Sequence, residues 1–415
     1  MALQRASDFV DGERLWARHM ALATFGARAD GGVDRPTLSP LEAQARAQVI
    51  AWGRAIGLEP FTDKAANLFL RLEGRDPSLA PVVAGSHIDS QPTGGKFDGV
   101  FGVLAALEVA AAIVARGEQP LRPFEIVAWT NEEGSRFAPG MTGSDLFTGT
   151  KALEAVLPIR DADGISIGDA VAAILAADDK VPLRAFGLPI AAYVEPHIEQ
   201  ASVLEQAGIP IGIVTGIQGT RRYRIRVMGE AAHAGTALRK DRRDALMAAI
   251  RMIRAIDEAA MEPADTLLTV GMVQVTPNAP SVVPAEVFFS IDLRHPDNAV
   301  VDRVDVAIRR IVEEMKGDCG VELKQIQHSP SLNFAPAIRS AIAEAAAARG
   351  IPAMDVYSAA GHDARQLHYV CPAGMIFVPC RGGVSHNPDE WAEPEHLTAG
   401  AQVLADVIWH LANSA

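Results

Sequence analysis

PVVAGSHIDSQPTGGKFDGVFGVLAALEVAAAIVARG, residues 81 to 117, reads as a strand, a glycine-dense polar turn and a helix. PVVAGSHI is short, apolar and polar only at its end, the pattern of a buried strand. GVLAALEVAAAIVARG predicts a helix that stops at Gly117. Between them stand His87, Asp89 and Asp98. An imidazole and two carboxylates delivered to the end of a strand are costly to desolvate unless something compensates. A divalent cation compensates well, because neutral imidazole nitrogen and carboxylate oxygen are ligands that zinc, manganese and cobalt accept.

Working outward, FEIVAWTNEE and AAYVEPHIEQ repeat the pattern of a short buried strand running into polar residues. Strands alternating with helices predict an α/β fold, a mainly parallel sheet covered by helices on both faces. In such sheets functional groups gather at the carboxyl ends of the strands. The second strand end offers Glu132 and Glu133, whose side chains point to opposite sides of an extended segment. The third offers His197, Glu199 and Gln200, and the Gly/Pro-rich loop GGVSHNPDEW near the C-terminus offers His386. Alone, an EE pair is a solvated turn and each histidine a loop or packing residue. Together, three histidines and several carboxylates fall where strand ends and loops converge, which points to a metal centre.

The middle of the chain has a different pattern. RRYRIRVMGEAAHAG, LLTVGMVQV, AEVFFSIDLR and VELKQI read as strands, and DRRDALMAAIRMIRAIDEAA and DNAVVDRVDVAIRRIVEEMKGDCG as amphipathic helices. Two helices on a small antiparallel sheet make a ferredoxin-like α+β unit. The expected division is 1–213 and 329–415 as one catalytic domain, with 214–328 inserted into it. A chain of 415 residues also exceeds what one core usually holds.

The formal charge of −13 is uneven: residues 214–328 hold 16 basic and 16 acidic residues, which leaves 22 and 35 for the rest. That balance favours cations and argues against a nucleic-acid partner. In RRYRIR the arginines alternate with Tyr223, Ile225 and Val227, as on a solvated strand face. No run approaches the ~18 apolar residues of a membrane span. The opening MALQRASDFVDGERLW lacks a basic segment followed by an apolar one, and the three cysteines are widely spaced, so the expected location is the cytoplasm.

HIDS…GGKFDGVFGV, TNEEGSRF, EPHIEQ, GEAAHAGT, IDLRHP, AAGHDA and GGVSHNP together resemble the amidohydrolase branch of the aminoacylase-type di-metal peptidase family. That branch holds N-carbamoyl-L-amino-acid hydrolases, β-ureidopropionases and allantoate amidohydrolases, and the similarity runs over nearly the whole chain. The resemblance implies two divalent metal ions per subunit, zinc first, with manganese, cobalt or nickel as alternatives. His87, Glu133, His197 and His386 would be ligands and Asp98 the bridge. Asp89 would orient His87 through its second ring nitrogen. Glu132 would be the general base for a water attacking an amide or ureido carbonyl.

The resemblance also implies a homodimer, with the inserted unit as dimerisation or lid domain and His233 reaching a partner's site to steady the oxyanion. Arg294 would clamp the carboxylate of a small-molecule substrate; a surface salt bridge to Asp292 or Asp297 is the other reading. Gln200, Gly361 and His362 map onto substrate-lining positions, and Asp363 onto a supporting one. Ser281 departs from the branch, which has asparagine there; Asn278 is the nearby substitute, and Ala201 and Ala285 replace usual glycines. The expected activity is hydrolysis of a non-peptide C–N bond in an N-carbamoyl-L-amino acid or ureido acid. An N-acyl amino acid amidase with the same centre is the alternative. An idle binding protein would lack a ligand or the base, and this chain lacks neither.

Overall fold

In the computed structural model, which describes residues 4–178 and 180–414, Val82–His87 is a strand buried along its whole length. Val100–Arg116 is the helix that follows, and Gly117 ends it in the left-handed conformation (φ 78°). The chain falls into two units: Gly216–Asn333, and the residues on either side of it.

The strands of the larger unit are β1 (Glu59–Thr62), β2 (Leu68–Leu72), β3 (Val82–His87), β4 (Phe124–Trp129), β5 (Ala192–Ile198) and β6 (Ile211–Ile217). The second unit carries β7 (Gly219–Met228), β8 (Ala232–His233), β9 (Leu267–Thr269), β10 (Val273–Thr276), β11 (Val282–Val283), β12 (Glu286–His295), β13 (Gly320–Ser329) and β14 (Leu332–Asn333). Back in the larger unit come β15 (Ala353–Ser358) and β16 (Ala373–Val378).

The large sheet runs β1-β2-β4-β3-β5-β16-β6, with β15 also on β6. It is mixed: β4, β3, β5 and β16 are mutually parallel, and the flanking pairs are antiparallel. The parallel strands are buried at every residue, as strands covered on both faces must be. Helix Val100–Arg116 packs on helix Pro394–Asn413 through Gly400, where an added Cβ would meet Val378 and Phe101 within 3 Å. These parallel strands therefore deliver their carboxyl ends to one edge of a rigid core.

His19 belongs to that core. It is fully buried, its ring 5.7 Å from that of Phe97 and 6.1 Å from Phe101, with Nδ1–H donating to the Leu15 carbonyl at 2.9 Å. Burial pulls its pKa down to about 4, against that hydrogen bond. The unfolded chain takes up this proton near pH 6.5 and the folded one does not. The associated stability is therefore complete above pH 6.5 and falls as pH drops toward 4, by about 3 kcal/mol. His19→Phe is expected to unfold with a weaker pH dependence between pH 6.5 and 4.5 than the parent chain. Parallel melting curves for the two proteins would refute this.

In the second unit the order is β10-β12-β7-β13, with β9 also on β12, antiparallel throughout. Along β7 and β12 buried residues alternate with more exposed ones. Helices Ala245–Ala260 and Asn298–Met315 contribute Met252, Ile256, Val304 and Ile308 to the same core as Tyr223, Ile225 and Phe289. Arg222 and Arg226 face outward, paired with Asp292 and Glu286. Two strands differ from the reading of the sequence. LLTVGMVQV divides at Gly271 into β9 and β10, and RRYRIRVMGEAAHAG breaks after Met228, leaving Ala232–His233 to pair with β11.

Candidate metal centre

The carboxyl ends of β3, β4 and β5 and the loop after β16 bring the candidate ligands together. His87 is the last residue of β3, Glu132 and Glu133 follow β4, His197 lies in β5, and His386 lies beyond β16 at φ 54°. Asp98 is carried by the glycine-dense turn. The next residue, Gly99, has φ 65°, and a Cβ there would stand 2.3 Å from His87 Nε2. Only glycine allows this turn to lie against the imidazole.

Among the described residues, two groups of side chains could hold a metal ion: His87, Asp98 and His197, and Asp98, Glu133 and His386. Within each group the ligand atoms lie inside 4.8 Å of one another. Asp98 belongs to both. Its Oδ1 is 3.2 Å from His197 Nε2 and 3.9 Å from His87 Nε2, and its Oδ2 is 3.1 Å from His386 Nε2. Glu133 Oε2 is 3.5 Å from His386 Nε2, and Glu132 Oε2 is 3.5 Å from His87 Nε2.

The outer nitrogens settle what the inner ones offer. His87 Nδ1 donates to the Asp89 carbonyl at 3.0 Å and His197 Nδ1 to the Ile198 carbonyl at 2.8 Å. Each Nε2 then faces carboxylate oxygen, His197 Nε2 also accepting from the Gly99 amide at 3.1 Å, and in the neutral imidazole it offers the lone pair that a metal ion takes. Donor type and spacing suit divalent metal in both groups; the first is buried throughout, and in the second His386 is exposed. The Asp89 carboxylate stands 3.5 Å from His87 Nδ1, farther than its own carbonyl, and accepts instead from the Glu132 and Glu133 amides at 3.3 and 3.4 Å.

The electrostatics show the same crowding. Burial pulls His87 down, but Glu132, Asp89 and Glu133 outweigh it and hold it well above its ordinary value. The hydrogen bond to Asp98 raises His386 to about 9, with Glu133 adding to it. Burial and Asp98 push Glu133 up to about 7. Burial pushes Glu132 well above the carboxylate range, and Asp363, Glu133 and Asp89 add to that against His87. Burial acts upward on Asp98 as well, yet His197 and His386 keep it well below the usual range.

One supporting residue was missed in the sequence. Glu390, buried, accepts from the Phe97 and Asp98 amides at 2.9 and 3.1 Å and from Ser385 Oγ at 3.0 Å. Ser385 Oγ also lies 2.9 Å from Asp98 Oδ2. Its signal was an acid four residues after His386 and next to Trp391. Gln91 was likewise unforeseen; its amide and side chain both donate to Glu133, at 3.1 and 2.8 Å.

Of the candidate substrate residues, Gln200 is here, its Nε2 donating to Asp98 Oδ2 at 3.0 Å and its buried Oε1 without a partner. The His362 ring packs edge-on to His197, centroids 4.5 Å apart, with Nε2 3.0 Å from Ser358 Oγ. Gly361 beside it is exposed. Asp363 accepts from Ser144 Oγ at 2.5 Å. His233, Asn278, Ser281 and Arg294 lie in the second unit. There His233 is exposed and its Nδ1 accepts from the Gly235 amide at 3.0 Å. The Ser281 carbonyl accepts from the Ala234 amide at 2.9 Å, and Asn278 has φ 58°. Arg294 Nε and Nη2 donate to the two oxygens of Asp292 at 2.8 and 3.2 Å, the salt bridge weighed as its other reading.

Known proteins share this arrangement of sequence and fold. The sequence model described as Peptidase family M20/M25/M40 matches residues 83–410. An N-carbamoyl-L-amino acid amidohydrolase of Geobacillus stearothermophilus is 40% identical over 407 residues, 97% of this chain and 99% of the relative. An allantoate amidohydrolase of Bacillus subtilis is 37% identical over 397 residues, 94% of this chain and 95% of the relative. The crystal structure of an amidase of the hydantoinase/carbamoylase family from Burkholderia multivorans superposes with a TM-score of 0.91 at 43% identity, covering 98% of each chain.

Proposed function

This chain belongs to peptidase family M20/M25/M40, and from that premise we propose that it is a metal-dependent amidohydrolase cleaving a non-peptide C–N bond. The substrate is an N-carbamoyl-L-amino acid or a related ureido acid of the allantoate kind, the substrate classes in its relatives' names. The observation that carries the reading is the pair of ligand groups sharing Asp98, with Glu132 at their edge. His87, Asp98 and His197 would hold one divalent ion, and Asp98, Glu133 and His386 the other. Zinc is the first candidate; manganese, cobalt or nickel also suit the donors.

Bound there, the metals supply Lewis acidity and lower the pKa of an attacking water. Glu132 takes the proton of that water and returns it to the departing nitrogen. The Asp89 carboxylate holds the Glu132 and Glu133 amides, which fixes both glutamates. Since His233 Nδ1 accepts a hydrogen bond, its proton resides on Nε2, the donor an oxyanion needs. Gln200, Gly361 and His362 are assigned to line the substrate, and Asn278, Ser281 and Arg294 to bind it. The protein acts as a homodimer through the inserted unit, without nucleic-acid or membrane partners. No helix among the described residues is long and apolar enough to cross a membrane. Its three free, buried cysteines suit the reducing cytoplasm.

Arg294 clamps the substrate carboxylate, with Asp292 holding its guanidinium in plane. Arg294→Lys keeps the charge and loses the fork. KM is expected to rise about tenfold, worth about 1.4 kcal/mol, while kcat changes less. An unchanged KM would remove the clamp from the reading. The function itself is tested by offering the metal-loaded enzyme N-carbamoyl-amino acids, allantoate, β-ureidopropionate and N-acyl-amino acids. Ammonia release from the first three supports the reading; hydrolysis of N-acyl substrates alone makes the enzyme an acylase.

A further inference from the structure

The turn that carries Asp98 is held from outside the region the family model matches. Residues 32–35 run along it. Val33 and Gly94 exchange backbone hydrogen bonds, N to O at 2.9 and 3.1 Å, and the Ser90 amide donates to the Arg35 carbonyl at 3.0 Å. Ser90 Oγ accepts from the Arg35 amide at 2.9 Å, and Arg28 donates to the Pro92 carbonyl at 2.9 Å. Gly32 lies so close that a Cβ would stand 2.8 Å from the Gly94 carbonyl and 3.1 Å from Pro388, in the loop of His386.

Arg35 is the centre of this strap. Its side chain is among the largest fully buried ones, and its guanidinium donates to three main-chain carbonyls. Nε reaches Ile88 at 2.6 Å, and Nη1 reaches Leu22 at 3.0 Å and Phe25 at 2.9 Å. Leu22 ends the helix Gly12–Leu22, where carbonyls lack helical partners and favour a cation. Ile88 is the residue between His87 and Asp89. One planar group therefore ties the end of a helix to the Ile88–Asp89 peptide, directly after the candidate ligand His87. Burial lowers its pKa to about 10, against Glu42 and Asp89, so it is charged at neutral pH.

We infer that Arg35 is a positioning residue of the metal centre: its guanidinium and the strap on residues 88–94 hold the glycine-dense turn in ligand geometry before metal arrives. The inference rests on the metal reading above. A buried fork satisfying three carbonyls in fixed directions has no equivalent in lysine, whose ammonium is a point charge. The turn, with Gly94 and Gly95 in it, would otherwise be ordered only on binding, at the expense of affinity.

The test is cobalt(II) binding to the metal-stripped full-length protein, by chelator competition and by the visible spectrum of the bound ion. Arg35→Met is expected to weaken cobalt binding at least tenfold and alter the spectrum, with Arg35→Lys restoring part of the affinity. Arg46→Met is the control, since Arg46 is a buried arginine paired with Asp178 at 2.9 Å and donating to the Ala66 carbonyl. It should lower the melting temperature without changing cobalt affinity. Ser90→Ala, which removes the acceptor for the Arg35 amide together with the hydroxyl that donates to the Val33 and Gln91 carbonyls of the strap and turn, decides the matter where the Arg35 variants fail to fold; it should weaken binding severalfold. Wild-type cobalt affinity in Arg35→Met, or in Ser90→Ala where the former is unfolded, overturns the inference while the metal reading stands. A parent protein that binds no cobalt, zinc or manganese overturns both.

Discussion

Glu132→Gln is expected to keep its full metal complement and lose turnover by about a thousandfold, within the range for removing a general base. The substitution is nearly isosteric and touches neither ligand group: Glu132 is outside both His87/Asp98/His197 and Asp98/Glu133/His386. Its amide hydrogen bond to Asp89 is a main-chain contact that glutamine retains. What disappears is the acceptor for a proton, poised 3.5 Å from His87 Nε2. The loss should lie in kcat, with KM little changed, because the carboxylate acts on the reacting water and not on the bound substrate. Metal analysis beside steady-state kinetics checks both halves. Retained turnover removes Glu132 as the base, and lost metal makes it a ligand instead.

The candidate metal centre was legible as a cluster because its residues follow a rule of position. His87, the Glu132–Glu133 pair and His197 each stand at or near the end of an apolar run, and a parallel sheet must bring such ends together. His386 was legible only as a member of that set. Glu390 and Arg35 were not, for a shared reason. Each acts on main-chain groups distant in sequence, Glu390 on the Asp98 amide and Arg35 on the Ile88 carbonyl, and no periodicity marks a residue whose partner is a backbone atom. In GGVDRP an arginine looks like surface, yet this one is buried. Glu195 did carry a signal. It is an acid inside the apolar run AAYVEPHI, and it is buried on Ser86 Oγ and the Ala364 amide, both at 2.7 Å; a charge rarely sits in a buried strand without such partners.

The inserted unit shows the other limit. Alternation along β7 and β12 specifies which side chains face the core, and the two amphipathic helices were equally plain. The division of LLTVGMVQV into β9 and β10 depends on how β12 accepts them, at Asp292–Arg294 and at Glu286–Phe289. That is a property of the partner strand. Arg294 is a similar case: its alternation with Asp292 puts both on one face, and only the coordinates show the guanidinium resting on that carboxylate.

Asp98→Asn is expected to abolish binding at one or both metal positions and with it measurable activity. The carboxylate serves both groups, Oδ1 toward His197 and Oδ2 toward His386. Asparagine has one acceptor oxygen and one NH₂, so whichever way the amide turns, one group loses its shared ligand and faces donors in its place. Gln200 Nε2, which donates to Oδ2, would then confront another donor or force the oxygen to stay on the His386 side. The charge balance changes too, since one of the two carboxylates among the five candidate ligands is removed. The fold should survive, because the turn is held by Glu390 on the Phe97 and Asp98 amides and by the Arg35 strap, which the substitution leaves in place. Stability measured with and without metal separates these effects. Ion at a hundredfold excess over its Kd should raise the parent protein's stability by about 2.7 kcal/mol for each site it fills, and the summed increment should vanish or fall by half in Asp98→Asn while the metal-free proteins unfold alike. A full metal-dependent increment in the variant would mean that Asp98 does not join the two groups, and the shared-ligand reading of the site would fall with it.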